Sequence, residues 1–404
     1  MKKRIALVAN TLSGGGAEKT VSNLSRGLAG YYDVDIIVNE TSPMDYSHSG
    51  HVISLNIPTN PANESKWHQL RIVIKRIHVL RHLKRKRKYA AVISFSDMCN
   101  LSNIFSGNRY GKNIISVRNS FQGEADASSI HRLSSKLLMP WCYKMADLTV
   151  ACSKGIRDEL TDRYALSMDK GRVIYNGLEL SLIRKKAAES LERDIVTRME
   201  GNRILVSIGR LTRQKGQCHL LNVVKLLKDS GVPVHLMLLG DGDLRDSLEC
   251  QAKRLGISDD ITFQGFVENP YTYMANADVV VMSSLYEGFS NVIIEALACE
   301  AAVVSTDHET GAREILAPDT DYRVKVKKRM ELAKYGVLVP VPTEIGEGVQ
   351  VGETLVEEAI MADAIRKILM NPELASHYKR AALERAEQLD IRSICAEWIN
   401  IIEC

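Results

Sequence analysis

The hydrophobic pattern of this chain alternates, in two successive series, between short β-branched runs and longer helical segments, and that alternation admits few architectures. Ile5 to Ala9 reads as a strand, Gly14-Gly15-Gly16 opens a helix from Ala17 to Leu28, and Val34 to Val38 is the next strand. A strand-helix-strand unit of this kind implies a parallel sheet with helices on both faces. Further strands are expected at Ala91 to Phe95, Asn113 to Val117, Leu148 to Ala151 and Val173 to Tyr175, the last before an Asn176-Gly177 turn. From Ser181 to Asn202 the strand pattern is lost and charge rises, as in a linker with a surface helix. A second series follows, with strands at Ile204 to Ile208, His235 to Leu239, Ile261 to Gln264, Val279 to Met282 and Ala302 to Ser305, and helices from Gln217 to Lys228 and from Leu244 to Leu255. The tail from Glu357 to Cys404 reads as helices broken near Asn371-Pro372. At 404 residues the chain exceeds what one core usually serves, so each half is expected to be its own doubly wound α/β domain. Clefts between such domains are preferred ligand sites.

Composition narrows the function classes. A hydrophobic content of 45% with 25% charged residues is that of an ordinary soluble protein. No stretch of about 18 apolar residues exists, and the N-terminus enters a β-type run rather than a signal peptide, so a cytoplasmic protein is expected. The eight cysteines are scattered without zinc-type spacing, which fits reduced thiols. A net charge of +4 is too mild to point to nucleic acid.

Three loops that follow strands carry residues suited to a phosphorylated, hydroxyl-rich ligand. In Glu287-Gly288-Phe289-Ser290-Asn291-Val292-Ile293-Ile294-Glu295, the strand-loop-helix order puts one carboxylate at the mouth of a helix spanning Asn291 to Cys299 and the other inside it. An anion docked on the amides of Ser290, Asn291 and Val292 would lie between them. A pair of solvent-facing glutamates is the plain alternative. Gly209-Arg210-Leu211-Thr212-Arg213-Gln214-Lys215-Gly216 follows the first strand of the second series. Ligands gather beyond the carboxyl ends of strands in open parallel sheets, so Arg210 and Lys215 stand where a diphosphate would be, unless they are simple surface charges. Ser13-Gly14-Gly15-Gly16-Ala17-Glu18 is either a tight turn or a binding loop, and it lacks the Gly-x-Gly-x-x-Gly dinucleotide fingerprint. Gly240-Asp241-Gly242-Asp243 is acidic and would repel phosphate, so it is assigned to the shape of the site rather than to chemistry.

Taken in order, Gly14-Gly15, Gly209-Arg210-Leu211, Lys215-Gly216, Gly240-Asp241-Gly242 and Glu287-x7-Glu295 resemble the retaining glycosyltransferases of family 4, which have the GT-B architecture. The resemblance implies an α/β fold of two Rossmann-like domains facing across a cleft. Residues 1–185 would form the acceptor-binding domain and 186–375 the nucleotide-sugar-binding domain, with a helix in 376–404 crossing back to the first. It implies a nucleotide-sugar donor, UDP by default with GDP behind it, and neither metal nor cofactor. Arg210, Lys215 and Glu287 would be catalytic: the two cations on the donor diphosphate and its departing nucleotide, Glu287 on the transferred sugar. Glu295 would bind the ribose, and the backbone of Gly288, Phe289, Ser290, Asn291 and Val292 would hold sugar and phosphate oxygens, with Gly15 and Gly16 close to the donor phosphates. Retention is usually explained by attack on the same face while the leaving phosphate takes the acceptor's proton. A glycosidase-like use of Glu287 as nucleophile is the disfavoured option. Where many relatives carry a sugar-contacting histidine, Ile115-Ser116-Val117-Arg118-Asn119-Ser120 has Arg118 and Asn119, which with Asp97 are candidates for the acceptor. The acceptor implied is a saccharide on a lipid carrier, in assembly of a bacterial surface polysaccharide such as O-antigen or lipopolysaccharide. A nucleotide-sugar epimerase of the same shape and a non-catalytic membrane adaptor are the alternatives.

Nine lysines and arginines fall within residues 71–88: Arg71, Lys75, Arg76, Arg81, Lys84, Arg85, Lys86, Arg87 and Lys88. Leu70, Val73, Ile74, Ile77, Leu80 and Leu83 recur among them at helical spacing. An amphipathic helix that adsorbs to anionic lipid, holding the protein on the inner face of the cell membrane, is one reading; a core helix with a solvated basic face is the other. Lys136-Leu137-Leu138-Met139-Pro140-Trp141 would add apolar contact if it lies on the same side.

Overall fold

A computed structural model describes residues 2–57, 66–121, 138–193, 195, 197, 200–343 and 355–404. The chain divides into two compact units, Met1–Gly177 with Leu389–Cys404, and Leu178–Gln388. The expected divisions at 185/186 and 375/376 thus stand against 177/178 and 388/389 in the contact pattern.

In the first unit, strands β1 (Arg4–Val8), β2 (Asp33–Val38), β3 (His51–Ser54), β4 (Ala91–Phe95), β5 (Lys112–Val117), β6 (Leu148–Ala151) and β7 (Gly171–Val173) lie in the order β3-β2-β1-β4-β5-β6-β7. Every pairing is parallel. The central strands are buried on both faces, which is why Ala91–Phe95 reads as a continuous apolar run rather than an alternating one. The second unit repeats the plan with β8 (Arg203–Ile208), β9 (Val234–Leu239), β10 (Ile261–Gly265), β11 (Val279–Met282), β12 (Val303–Thr306), β13 (Glu331–Ala333) and β14 (Gly336–Val339), ordered β10-β9-β8-β11-β12-β14-β13. Only β13 runs antiparallel, as the edge of a hairpin with β14. In both sheets the winding reverses beside the first strand, between β1 and β4 and between β8 and β11, and a reversal of this kind opens a crevice at the carboxyl ends of those strands.

The last helix, Ile391–Glu403, completes the core of the first unit: Ile391, Ile394, Cys395, Trp398 and Ile402 pack among Leu7, Val21, Leu24 and Phe95. It crosses the Gly16–Leu28 helix at Gly27, where a Cβ would collide with the Cys395 sulfur. Lys112 donates to the carbonyls of Ile401 and Ile402 at 3.3 and 3.4 Å, a cation placed at the negative end of the helix.

The Lys66–Arg87 helix corrects one expectation. Its basic residues do not all face solvent: Arg76 and Lys84 are each 1% exposed. Arg76 donates to Asn10 at 3.0 Å and to Asn39, and Lys84 donates to Asn103 O, Asn103 Oδ1, Gly107 O and Asn113 Oδ1 at 2.7–2.9 Å. Four oxygens around one ammonium fasten this helix to the segment between β4 and β5 and to β5 itself. Arg71, Lys75, Arg81, Arg85, Lys86 and Lys88 remain exposed. Lys136 and Leu137 lie outside the described residues.

In the second unit the Gln217–Asp229 and Val356–Leu369 helices share a polar contact inside an apolar core. Glu358 takes hydrogen bonds from His219 Nδ1 at 2.8 Å, Asn222 at 2.9 Å and the Leu355 amide at 3.0 Å. Burial works against the His219 charge, but hydrogen bonds to Cys218 and Glu358 outweigh it and raise its pKa to about 9. A raised folded-state pKa gives stability that is complete below about 6.5, the unfolded value, and is lost as pH rises through about 9. Glu358→Ala, which strands a buried imidazolium, is expected to cost about 3–5 kcal/mol near neutral pH. Urea titration of the whole chain checks this, and a midpoint unchanged from wild type would contradict it.

Candidate functional site

The two loops at the reversal of the second sheet are stitched to each other. After β8, the Arg213–Lys215 turn ends at Gly216, whose φ of +62° and contact with the Ser283 carbonyl oxygen, into which a Cβ would run, leave room for glycine only. Ser283 Oγ donates to Lys215 O at 2.9 Å, Leu285 N to Gln214 O at 2.8 Å, and Gln214 Nε2 to Tyr286 O at 3.0 Å. The result brings Lys215 onto Glu287, ammonium to carboxylate, although the two are 72 residues apart. Ser284 Oγ donates to the same Glu287 oxygen at 3.0 Å, and the Thr310 hydroxyl holds the Glu287 carbonyl. Burial alone would raise the Glu287 carboxyl; Lys215, His308 and the Ser284 hydroxyl outweigh it and hold the pKa below the usual value, so the group is ionised at neutral pH.

Beyond Glu287 the backbone turns through Gly288, Phe289 and Ser290, all buried, into the Asn291–Ala298 helix. The first amides of that helix, among them those of Asn291 and Val292, have no intrahelical acceptor by geometry. Ser290 Oγ is buried and finds no hydrogen-bond partner among the described residues. Glu295, on the second turn, is 5% exposed. Arg210 leaves the end of β8 into solvent while its carbonyl takes a hydrogen bond from Gln217 Nε2 at 3.0 Å. The Gly240-Asp241-Gly242 turn braces this loop: Leu211 N donates to Asp241 O at 3.0 Å and Leu244 N to Leu211 O at 3.0 Å.

One residue of this cluster escaped the sequence reading. His308, past the end of β12, is 2% exposed, and its Nδ1 has no hydrogen-bond partner among the described residues. Burial drives its pKa down to about 4 against the pull of Glu287, so it is a neutral imidazole beside an ion pair. No local motif marks it; its neighbours come from other strands. The stretch from Pro318 onward is folded in its described part. Arg313 reaches Asp307 Oδ2 at 2.7 Å and Glu331 Oε2 at 2.8 Å, and Val326 N donates to Asp307 Oδ2 at 2.9 Å. That network fixes the strand end that carries His308, while residues 344–354 lie outside the described residues.

The sites expected in the first unit are placed differently. Gly15 and Gly16 do stand at the start of the Gly16–Leu28 helix, but the Glu18 carboxylate lies against Gly15, a favourable charge at the helix's positive end. Asp97 begins the Asp97–Phe105 helix and Asn119 is exposed. Arg118 is turned inward: its guanidinium lies 5.5 Å from the Phe95 ring centroid and 5.7 Å from that of Trp398, and donates to Asn176 Oδ1 at 2.7 Å. Its Nε and Nη2 are buried without a partner among the described residues. That geometry turns the guanidinium toward the core rather than toward an acceptor.

Two doubly wound parallel-sheet units in one chain, the second with its ion pair at the winding reversal, define the GT-B class. Solved structures agree over the whole length: sucrose-phosphate synthase from Thermosynechococcus elongatus superposes with a TM-score of 0.77 at 19% identity, covering 100% of this chain and 98% of that one. Anabaena HepE, solved in complex with UDP-glucose, gives 0.73 at 17% identity over 99% of both chains. Residues 14–182 match the family model described as Glycosyltransferase Family 4, and residues 189–335 match that of Glycosyl transferases group 1. The chain belongs to these glycosyltransferases. Among its relatives are an uncharacterized glycosyltransferase of Methanocaldococcus jannaschii, 29% identical over 82% of this chain and 83% of that protein, and two from Campylobacter jejuni. One of these is an N-acetylgalactosamine-N,N'-diacetylbacillosaminyl-diphospho-undecaprenol 4-alpha-N-acetylgalactosaminyltransferase, 32% identical over 65% of this chain and 62% of its own length. The other is an alpha-1,4-N-acetyl-D-galactosaminyltransferase acting on a PP-undecaprenol-linked GalNAc saccharide, 24% identical over 99% and 98%.

Because folded His308 stays neutral down to about pH 4 while an unfolded histidine takes a proton near 6.5, acid costs stability across that window. His308→Gln is expected to flatten the fall in melting temperature between those two values. Identical pH dependence of melting in variant and wild type would refute the assignment.

Proposed function

We propose that the chain is a retaining, metal-independent glycosyltransferase that moves an N-acetylhexosamine or hexose from a UDP-sugar to a saccharide carried on a lipid diphosphate, in assembly of a bacterial surface polysaccharide. The observation that carries this reading is the Lys215–Glu287 pair, held beside the Asn291–Ala298 helix start with two buried polar atoms, Ser290 Oγ and His308 Nδ1, that have no hydrogen-bond partner among the described residues. Relatives named for diphospho-undecaprenol-linked acceptors support the acceptor class and the N-acetylhexosamine donor.

In this reading Arg210 and Lys215 neutralise the diphosphate, and the helix amides at Ser290, Asn291 and Val292 take further phosphate or sugar oxygens. The C1–O bond to the diphosphate breaks, the acceptor oxygen bonds to C1 on the same face, and its proton passes to the departing phosphate oxygen. The Glu287 carboxylate is engaged by the Lys215 ammonium and the Ser284 hydroxyl, which suits gripping a sugar hydroxyl better than attacking carbon. Glu295 takes the ribose. In the first unit Gly15 and Gly16 are the candidates for donor phosphates and Asp97 and Asn119 for the acceptor, and its exposed cations between residues 71 and 88 rest on an anionic membrane. Among the described residues no helix is long and apolar enough to cross that membrane.

Lys215→Ala should lower kcat/KM for transfer about 10²–10³-fold, the effect of removing one preorganised donor to a developing anion. Glu295→Ala should erase most of the rise in melting temperature produced by the UDP-sugar that works best in a panel of UDP- and GDP-sugars. Wild-type turnover in both variants, or conversion of a nucleotide sugar to its epimer with no transfer, would sink this reading.

A further inference from the structure

The Lys66–Arg87 helix offers charge to a membrane but little apolar surface: from Arg71 onward Ile74, 45% exposed, is its one exposed large apolar side chain. Leu80 is fully buried, and Ile72, Val79 and Leu83 pack on the core formed with Ala6, Val8 and Val92. A helix cannot bury one stripe in its own domain and in lipid together, so insertion needs another element. The structure supplies one beside it. Arg81, on the exposed side of the basic helix, donates through Nη2 to the Phe105 carbonyl at 2.8 Å, at the carboxyl end of the Asp97–Phe105 helix. The Phe105 ring stacks on that of Trp141, with centroids 4.9 Å apart and planes 27° from parallel.

Both rings are open to solvent. Phe105 is 38% exposed, Trp141 41%, Leu138 42% and Met145 47%, and the last three come from the Met139–Met145 helix and the residue before it. The other described tryptophan side chain, Trp398, is wholly buried. A stacked aromatic pair flanked by Leu and Met is costly to leave in water, and such patches mark contact with another phase or protein. The charge around it selects the phase. Lys144 is exposed on the same helix as Trp141, and the basic helix contains no acidic residue. The one carboxylate on the Asp97–Phe105 helix, Asp97, lies at the end opposite Phe105. Cations around an aromatic plug suit phosphate headgroups over acyl chains.

We propose that Phe105, Leu138, Trp141 and Met145 form a plug that enters an anionic phospholipid bilayer, with the exposed cations of the Lys66–Arg87 helix drawing it there. This rests on the membrane reading of residues 71–88 and adds the element that penetrates.

The test is cosedimentation of the purified chain with phosphatidylcholine vesicles, with and without phosphatidylglycerol, together with Trp141 emission taken as the difference between wild type and Trp141→Phe. Expected are binding to the anionic vesicles, a blue shift of that difference spectrum on binding, and a loss of affinity of roughly tenfold or more in Phe105→Ser/Trp141→Ser. That variant should transfer to a water-soluble acceptor as wild type does, which shows it folded. Equal vesicle binding by the variant with an unshifted difference spectrum overturns the plug while leaving charge-driven adsorption in place. No binding of wild type to either vesicle overturns both. A change of the variant from dimer to monomer without vesicles, with no emission shift on adding them, assigns the patch to a second copy of the chain and overturns the plug.

Discussion

The contact between Gly216 and the Ser283 carbonyl sets the geometry of the second unit's site. It lets the loop after β8 lie directly on the loop after β11, and every other contact there follows from that closeness: the serine hydroxyl on Lys215 O, the Gln214 bonds, and the ammonium of Lys215 on Glu287. The parallel order of the strands makes this possible. Because winding reverses between β8 and β11, no crossing helix covers their shared end, and two loops distant in sequence can meet over it. The ion pair consumes part of the charge of both partners. What remains is a positive helix start beside two buried side chains, the Ser290 hydroxyl, which has no hydrogen-bond partner among the described residues, and an uncharged His308.

The first unit uses the same winding with different occupants. Its helix start is covered by Glu18, and its buried cations Arg76, Lys84 and Arg118 bond to neutral amide oxygens, among them those of Asn10, Asn39, Asn103, Asn113 and Asn176. Positive charge there is held beneath the strand ends rather than presented on a loop.

Much of the fold was legible in sequence because its information is local. Runs such as Ala91–Phe95 and Val279–Met282 are apolar on both faces, and glycines punctuate the loops after β1, β8 and β9. Glu287 and Lys215 were legible as candidates for the same reason: each follows a strand. Strand β3, His51–Ser54, was missed because it is a short, half-exposed edge whose pairing with β2 rather than its composition makes it a strand. The hairpin of β13 and β14 was hidden behind charged residues that Arg313 gathers. Lys84 in a basic helix looks like any other lysine; its four oxygen partners come from residues 103, 107 and 113. Arg118 and His308 misled or escaped for the same reason, since the rings and charges that define them belong to other elements.

Residues 389–404 carry a consequence for how the molecule is made. Trp398, Ile394 and Cys395 fill the core of a domain whose other residues end at Gly177, so more than half the chain separates the two parts. During synthesis the amino-terminal domain emerges first yet stays open along the Gly16–Leu28 helix until residues 389–404 have been made. The carboxy-terminal domain has all its parts earlier, so the order of completion runs opposite to the order of emergence. A nascent chain therefore waits with an apolar groove exposed until residues 389–404 reach it and fill it.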